Sequence, residues 1–156
     1  MQATSFYEVT SNTTASEKGT TIIVGNGPAG MRLARELLAR QSDARVIVFG
    51  NEPYQPYNRV QLSALLAGEI KYEDILTPLP DSEQHAGLEL IYRAVVAIDP
   101  GQKTVLDSHG TTYHFSQLVL ATGSNPHVPH IDGVDQTGVY TFRNLKDTEA
   151  LYTRVA

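Results

Sequence analysis

Cysteine is missing from the 156-residue sequence, and basic side chains are in the minority. Without cysteine the chain cannot form a disulfide, a Cys-ligated zinc or iron–sulfur site, or a thiol nucleophile. Twelve Lys and Arg against seventeen Asp and Glu give a net charge of −5. Binding of a polyanion needs a basic surface, so nucleic acid is not expected as a partner.

Long apolar stretches are absent from the N-terminal region. Residues 1–19 are mostly Ser, Thr, Glu and Asn and match neither the apolar core of a secretion signal nor a membrane span. We therefore predict a flexible leader over 1–19, no membrane partner and a cytoplasmic location. The remaining length fits one domain, since about 150 residues per domain is usual.

A strand–helix–strand unit follows the leader. Thr21–Val24 is a short β-branched run typical of a strand buried on both faces of a parallel sheet, and we expect it to be the central strand. Pro28–Arg40 has apolar residues at helical spacing on one side, which predicts an amphipathic helix lying on the sheet. Val46–Phe49 supplies the next strand and completes a βαβ unit.

The rest of the chain predicts a mixed α/β fold. Two prolines and two tyrosines make 51–58 a shaped loop, after which a short helix ends near Gly68 and another spans 81–87. Strands are predicted at 88–91, 94–98, 103–106, 111–115 and 118–121, the last of them buried. The fold class is therefore Rossmann-like, with a central parallel sheet, helices and an inserted antiparallel β-meander.

A glycine motif lies between the first strand and the first helix. Gly25, Asn26, Gly27, Pro28, Ala29 and Gly30 form G-x-G-x-x-G in the context that the motif requires. The first glycine permits the tight turn, the second lets a pyrophosphate approach the backbone, and the third lets the helix lie close to the strand. The pattern predicts a dinucleotide site at the positive end of the helix.

Glu52 follows the second strand about 20 residues after the glycines, the position at which an acid normally receives ribose hydroxyls. Its carboxylate can accept two hydrogen bonds at once. These residues alone leave the choice between NAD and FAD open.

Residues 118–126 (LVLATGSNP) resemble the A-T-G signature of flavoproteins with two dinucleotide-binding domains, in which the first glycine motif holds FAD. The segments 95–99 (VVAID), 103–105 (KTV) and 138–143 (GVYTFR) follow in that family's order. Residues 48–53, 57–63 and 66–69 look like the large subunit of NAD(P)H-dependent nitrite reductase, with ferredoxin and rubredoxin reductases next.

The resemblance implies specific roles. Arg59 and Ser63 would lie beside the FAD phosphates, and the backbone at Val95 or Val96 beside the adenine. Ala121, Thr122 and Gly123 belong to the A-T-G segment, which lies near the middle of the cofactor. From its chemistry alone, Arg59 can offer a guanidinium that binds a pyrophosphate bidentately.

Two departures from the family pattern narrow the chemistry. Ala64 stands where many ferredoxin-reductase relatives have lysine after the serine, and the chain lacks the cysteine pair of the disulfide-reducing branch. The pair His127 and His130 is separated by a proline and has no complete ligand set nearby, so no metal site is predicted. No side chain is predicted as acid, base or nucleophile, because the cofactor supplies that chemistry.

The leading hypothesis is therefore the FAD-binding part of an NAD(P)H-dependent oxidoreductase that passes electrons through FAD to a redox centre or carrier protein. The resemblance favours a protein like the nitrite reductase large subunit. The alternatives are an electron-transfer flavoprotein like the ferredoxin and rubredoxin reductases, a self-contained NAD-dependent dehydrogenase and a non-enzymatic nucleotide-binding module. We expect residues 20–143 to be the FAD-binding domain, itself incomplete. Residues 144–156 would begin a linker helix towards an NAD(P)H domain, and the segment alone is expected to be inactive.

Overall fold

The computed structural model of the chain describes residues 19–41, 43–79 and 86–155. The predicted leader lies outside the described residues except for Gly19, and the predicted helix 81–87 does so except for its last two residues. The described elements are β1 (Thr21–Val24), α1 (Pro28–Arg40), β2 (Val46–Phe49), α2 (Leu62–Leu66), α3 (Tyr72–Ile75), β3 (Leu88–Ile91), β4 (Val95–Asp99), β5 (Thr104–Asp107), β6 (Thr112–His114), β7 (Gln117–Leu120) and α4 (Leu145–Val155), with a 3₁₀ turn at Arg59–Gln61.

Four parallel strands form the main sheet in the order β3-β2-β1-β7. The prediction that β1 is central is confirmed, since Ile22 pairs with Ile47 of β2 and with Leu118 of β7. The prediction of a buried β7 is wrong. Among the described strands β7 pairs with β1 alone, and the side chain of Leu120 is 62% exposed. An edge strand has a neighbouring strand on one side only, so more of its surface stays exposed to solvent.

Both faces of β1 and β2 are covered, which explains their continuous apolar sequences. On one face Ile23, Val46 and Val48 pack with Met31 and Ala34 of α1. A second core cluster joins Ile22, Ile47 and Phe49 of these strands to Ile91 of β3 and Val105 of β5. Because side chains alternate along a strand, each successive residue of β1 and β2 enters a different core.

Strands β4, β5 and β6 form an antiparallel sheet of their own, so the meander packs on the main sheet without extending it. The ring of Tyr113 meets the ring of Phe49 edge to face, with centroids 5.1 Å apart. This contact joins β6 to β2 across the core. Val95, the first residue of β4, packs against the same core cluster as Phe49 and lies near the carboxyl end of the main sheet.

A third apolar cluster lies under the loop that follows β2. Tyr57, Leu62, Ile75 and Leu145 are its buried members, so α2, α3 and the start of α4 meet there. The 3₁₀ turn and α3 are absent from the sequence-based predictions. Among the described residues, no helix is long and apolar enough to cross a membrane.

Candidate functional site

A cleft of about 350 Å³ opens at the carboxyl edge of the main sheet, where parallel α/β sheets bind ligands. The backbone N–H of Gly25 donates to Phe49 O (2.7 Å) and that of Ala121 donates to Val24 O (2.8 Å), which brings the ends of β1, β2 and β7 together. The residues around the cleft are Gly25, Asn26, Gly27, Pro28, Ala29, Asn51, Glu52, Arg59, Ala121, Thr122, Gly123, Ser124, Asn125, Pro126, Arg143 and Asn144.

The three glycines of the motif differ in what surrounds them. Gly25 has a φ of +119°, and a Cβ there would lie 2.1 Å from Ala121 O. A Cβ on the buried Gly30 would lie 1.9 Å from Gly25 O, so helix and strand could not approach so closely. A Cβ on Gly27 would meet no atom within 4 Å. Gly25 and Gly30 are therefore needed by the fold, whereas Gly27 leaves space in the cleft.

Helix α1 presents its N-terminus to this space. Gly27 is the N-cap residue, Pro28 occupies the first turn, and no side chain caps the helix. The first N–H groups of an uncapped helix, together with the helix dipole, favour an anion. Because 13 residues contribute to the dipole, this terminus suits a phosphate group.

Glu52 lines the cleft with both carboxylate oxygens already held by the protein. Tyr57 donates its hydroxyl to Oε2 (2.7 Å), and the Arg59 guanidinium donates to Oε1 in an ion pair. Each carboxylate oxygen can accept a further hydrogen bond. The predicted ribose acid is thus fixed in position and keeps acceptor capacity.

Arg59 has fewer free donors than its predicted phosphate role suggested. Besides its ion pair with Glu52, it donates from Nη1 to the backbone oxygen of Arg143 (3.4 Å). Its guanidinium also lies 5.2 Å from the centroid of the Tyr57 ring, within cation–π range. Arg59 still lines the cleft, and its remaining N–H groups can reach an anion there.

Arg143 is a cleft residue that the sequence analysis did not single out. It donates from Nε to Ser124 O (3.0 Å) and from Nη2 to Ser124 Oγ (2.8 Å). Among the described residues no carboxylate forms an ion pair with its guanidinium, although the Asp147 carboxylate accepts from its backbone N–H (2.7 Å). In the sequence, Arg143 stood out only as the last residue of the family-like segment 138–143, and that position did not indicate a binding role.

A smaller cleft of about 140 Å³ adjoins the first and shares Gly25, Asn51 and Thr122 with it. Val95 lines this second cleft, together with Arg93. Val96 is 60% exposed and lines neither cleft. Of the two valines proposed for the adenine, the structure thus brings only Val95 to the site.

Arg93 is held in place by the buried carboxylate of Asp107, which it reaches at 3.0 Å. Burial raises the pKa of Asp107. Hydrogen bonds from the Thr111 N–H, Arg93, the His109 N–H and Tyr113 outweigh burial and lower the pKa to about 2. The carboxylate therefore stays charged at neutral pH and fixes the wall of the smaller cleft.

The A-T-G segment reaches the larger cleft with Ala121, Thr122 and Gly123, as the resemblance implied. Gly123 has a φ of +72°, a conformation that favours glycine. Ser63 is exposed on α2 and is not among the residues that line either cleft. No group of three His, Cys, Asp or Glu residues within the described ranges could hold a metal ion, and His85 lies outside those ranges.

Residues 19–155 match the family described as pyridine nucleotide-disulphide oxidoreductase. Over 132 residues the chain is 37% identical to the assimilatory nitrate reductase electron transfer subunit of Bacillus subtilis strain 168, covering 83% of this chain and 17% of that protein. It is 36% identical over 132 residues to nitrite reductase [NAD(P)H] of the same strain, covering 83% and 16%. The chain therefore spans about a sixth of the length of these relatives.

A ferredoxin reductase from Rhodopseudomonas palustris shares the architecture, with a TM-score of 0.78 and 29% identity over 86% of this chain and 34% of that one. The predicted fold class and the family resemblance are both confirmed by these matches. They also support the predicted cofactors, FAD and NAD(P)H. The fit of the individual site residues to those cofactors stays a prediction.

Proposed function

This chain belongs to the pyridine nucleotide-disulphide oxidoreductase family, and from that premise we propose that it is the FAD-binding part of an NAD(P)H-dependent oxidoreductase. Electrons would pass from NAD(P)H through FAD to a downstream redox centre or a carrier protein. Bound FAD would supply the hydride-accepting chemistry, and the chain's own residues would bind and orient it. We also propose a cytoplasmic location, where NAD(P)H is available.

The observation that carries this proposal is the open space at Gly27 in front of the uncapped N-terminus of α1. Two linked phosphates need close approach to the backbone, N–H donors and positive charge. The cleft offers all three, because Arg59 and Arg143 also line it. The residues present therefore fit a dinucleotide pyrophosphate.

The remaining cleft residues support an assignment for the other parts of FAD. Glu52 would accept hydrogen bonds from the ribose hydroxyls, since its carboxylate is held firmly and retains lone pairs. Val95 in the adjoining cleft would lie beside the adenine, and Thr122 with Gly123 beside the middle of the cofactor. We assign these roles to residues 20–143 and regard 144–156 as the start of a linker helix.

For the electron acceptor we propose the nitrite-reductase type of pathway, in which the acceptor is a metal centre. The support is the identity to nitrite reductase [NAD(P)H] and to the nitrate reductase electron transfer subunit. A carrier protein such as ferredoxin is the second candidate. It is favoured by the 33% identity over 131 residues to the ferredoxin reductase component of a chlorobenzene dioxygenase from Cupriavidus.

The proposal is tested by purifying the full-length protein and recording its visible spectrum before and after addition of NADH or NADPH. We expect a flavin spectrum that bleaches with one of the two nucleotides under anaerobic conditions. Reoxidation by nitrite and by ferredoxin would then be compared to distinguish the two acceptors. A colourless protein that cannot be reconstituted with FAD would refute the proposal.

A further inference from the structure

Tyr57 connects two parts of the molecule that are far apart in sequence. Its hydroxyl donates to Glu52 Oε2 (2.7 Å) and accepts from the backbone N–H of Leu145 (3.1 Å). Leu145 is the first residue of α4, 88 positions further along the chain. One hydroxyl therefore joins the carboxylate in the cleft to the start of this helix.

The direction of these hydrogen bonds is fixed by chemistry. A phenol has one proton to donate, a carboxylate accepts only, and a backbone N–H donates only. The proton of Tyr57 must therefore point to Glu52, which leaves an oxygen lone pair for Leu145. Burial, followed by the hydrogen bond to Glu52, raises the pKa of Tyr57, so the phenol keeps this proton at neutral pH.

The ring of Tyr57 holds its hydroxyl in place. Tyr57 is 6% exposed and packs with Leu62, Ile75 and Leu145 in the third apolar cluster. The guanidinium of Arg59 lies over the ring of Tyr57, 5.2 Å from its centroid. Arg59 also forms an ion pair with Glu52. Glu52, Tyr57 and Arg59 thus form a closed triangle in which each side chain contacts the other two.

The start of α4 is itself part of the cleft wall. Arg143 and Asn144 line the cleft and immediately precede the helix. Asp147 fixes them by accepting from the Arg143 N–H (2.7 Å) and by donating its own N–H to Asn144 Oδ1 (2.9 Å). Movement of α4 would therefore act on the cleft at Arg143 directly and at Glu52 through Tyr57.

We propose that Tyr57 is a positioning residue that sets the orientation of the Glu52 carboxylate and couples it to the start of α4. This inference rests on the proposed function, because Tyr57 would control the affinity for FAD by orienting the carboxylate that binds the FAD ribose. Tyr57 is not among the residues that line the larger cleft. Its effect on FAD affinity passes through Glu52.

A double-mutant cycle on the full chain tests this inference, with FAD affinity measured by quenching of flavin fluorescence. Tyr57→Phe keeps the ring in the apolar cluster and removes the hydroxyl, so we expect about threefold to tenfold weaker binding. In a Glu52→Ala background the same substitution should change affinity by less than about twofold. A purely structural role of Tyr57 would give equal losses in both backgrounds.

Tyr54→Phe is the matched control. Tyr54 lies on the same loop and donates to Glu149 Oε2 of α4 (2.9 Å) without contacting Glu52. Its removal should leave FAD affinity unchanged within about twofold. An equal loss in Tyr54→Phe would mean that any contact between loop and helix matters, and would overturn the inference.

A second measurement does not require the Tyr57 variant to fold. Amide hydrogen exchange at Leu145 should speed up in Glu52→Ala, because the phenolic proton loses its acceptor and can rotate towards the Leu145 N–H, which weakens that hydrogen bond. Unchanged exchange at Leu145, or additive losses in the cycle, would overturn the inference alone. A wild-type chain that does not bind FAD would overturn the proposed function and this inference with it.

Discussion

Arg143 binds Ser124 twice, from Nε to the backbone oxygen at 3.0 Å and from Nη2 to the hydroxyl oxygen at 2.8 Å. These two contacts join the start of α4 to the loop after β7. They also hold the Arg143 guanidinium, which has no ion-pair partner among the described residues, at the cleft in which we place the FAD pyrophosphate. The position of this charge leads to the first prediction.

Arg143→Gln should weaken FAD binding by about tenfold, because a charged hydrogen bond to a phosphate contributes about 1.5–3 kcal/mol and water replaces part of it. Affinity is measured by fluorescence titration at low and moderate salt. Lys146→Gln is the matched control, since it removes the same charge from the next turn of chain without lining the cleft. Equal losses in the two variants would indicate a general charge effect and contradict the prediction.

Glu52→Ala should weaken FAD binding by about 10- to 100-fold through the loss of two ribose hydrogen bonds. The substitution also leaves Arg59 without its carboxylate, so the unfolding free energy must be measured alongside the titration. Unchanged affinity in a folded variant would show that Glu52 is only a loop acid.

The glycines allow binding and stability to be separated. Gly27→Ala should lower the unfolding free energy by no more than about 1 kcal/mol, because alanine is a poorer N-cap than glycine but the φ of −72° suits it and the Cβ meets no atom within 4 Å. FAD affinity should nevertheless fall by about tenfold or more, since the methyl group occupies the space for the phosphates.

Gly30→Ala is expected to behave in the opposite way. Its Cβ would lie 1.9 Å from Gly25 O, a backbone atom, so the helix must shift and the unfolding free energy should drop by about 1–3 kcal/mol. Urea denaturation of both glycine variants checks the pair. A destabilised Gly27→Ala beside an unaffected Gly30→Ala would contradict the assignment of their roles.

Asp107 should make the free energy of unfolding depend on pH in the acid range. Its pKa of about 2 in the folded chain lies below the ordinary unfolded value of about 3.9. The carboxylate therefore stabilises the fold fully above about pH 5, and this contribution is lost as the pH falls towards 2. Asp107→Asn should be less stable at pH 7, and its urea midpoint should fall less steeply between pH 5 and pH 2.

The matched control for Asp107 is Asp99→Asn, which removes the same charge from the exposed end of β4, where Asp99 accepts from the Gln102 N–H (2.9 Å). Its pH profile should follow that of the unsubstituted chain. If Asp107→Asn keeps the steep fall below pH 5, other carboxylates are responsible.

Local patterns were enough to predict the βαβ unit. Thr21–Val24, Pro28–Arg40 and Val46–Phe49 have the predicted bounds, because strand and helix periods and the glycine motif act over a few residues. Helix α3 was missed because its four residues are too few to show a helical period. The N–H of Lys71 donates to Asp74 Oδ2 (2.9 Å) and supports this turn instead.

Contacts between distant segments could not be predicted from the sequence. The Tyr57 hydroxyl meets an amide 88 residues away, and Arg143 meets Ser124 only after β7 and the following loop have been placed. The exposure of β7 likewise depends on which strands flank it, and its continuous apolar sequence led to the wrong prediction that it is buried. Such relationships are set by tertiary packing.

Titration of the full chain with FAD and with FMN, followed by flavin fluorescence, tests most directly whether the glycine cleft holds a dinucleotide. FMN lacks the adenosine half that Glu52 and Val95 would bind, so FAD should bind about tenfold or more tightly. Gly27→Val should remove this preference, because its side chain fills the cleft in front of α1. Equal affinity for FAD and FMN, or a preference that survives in Gly27→Val, would contradict the assignment of the cleft to FAD.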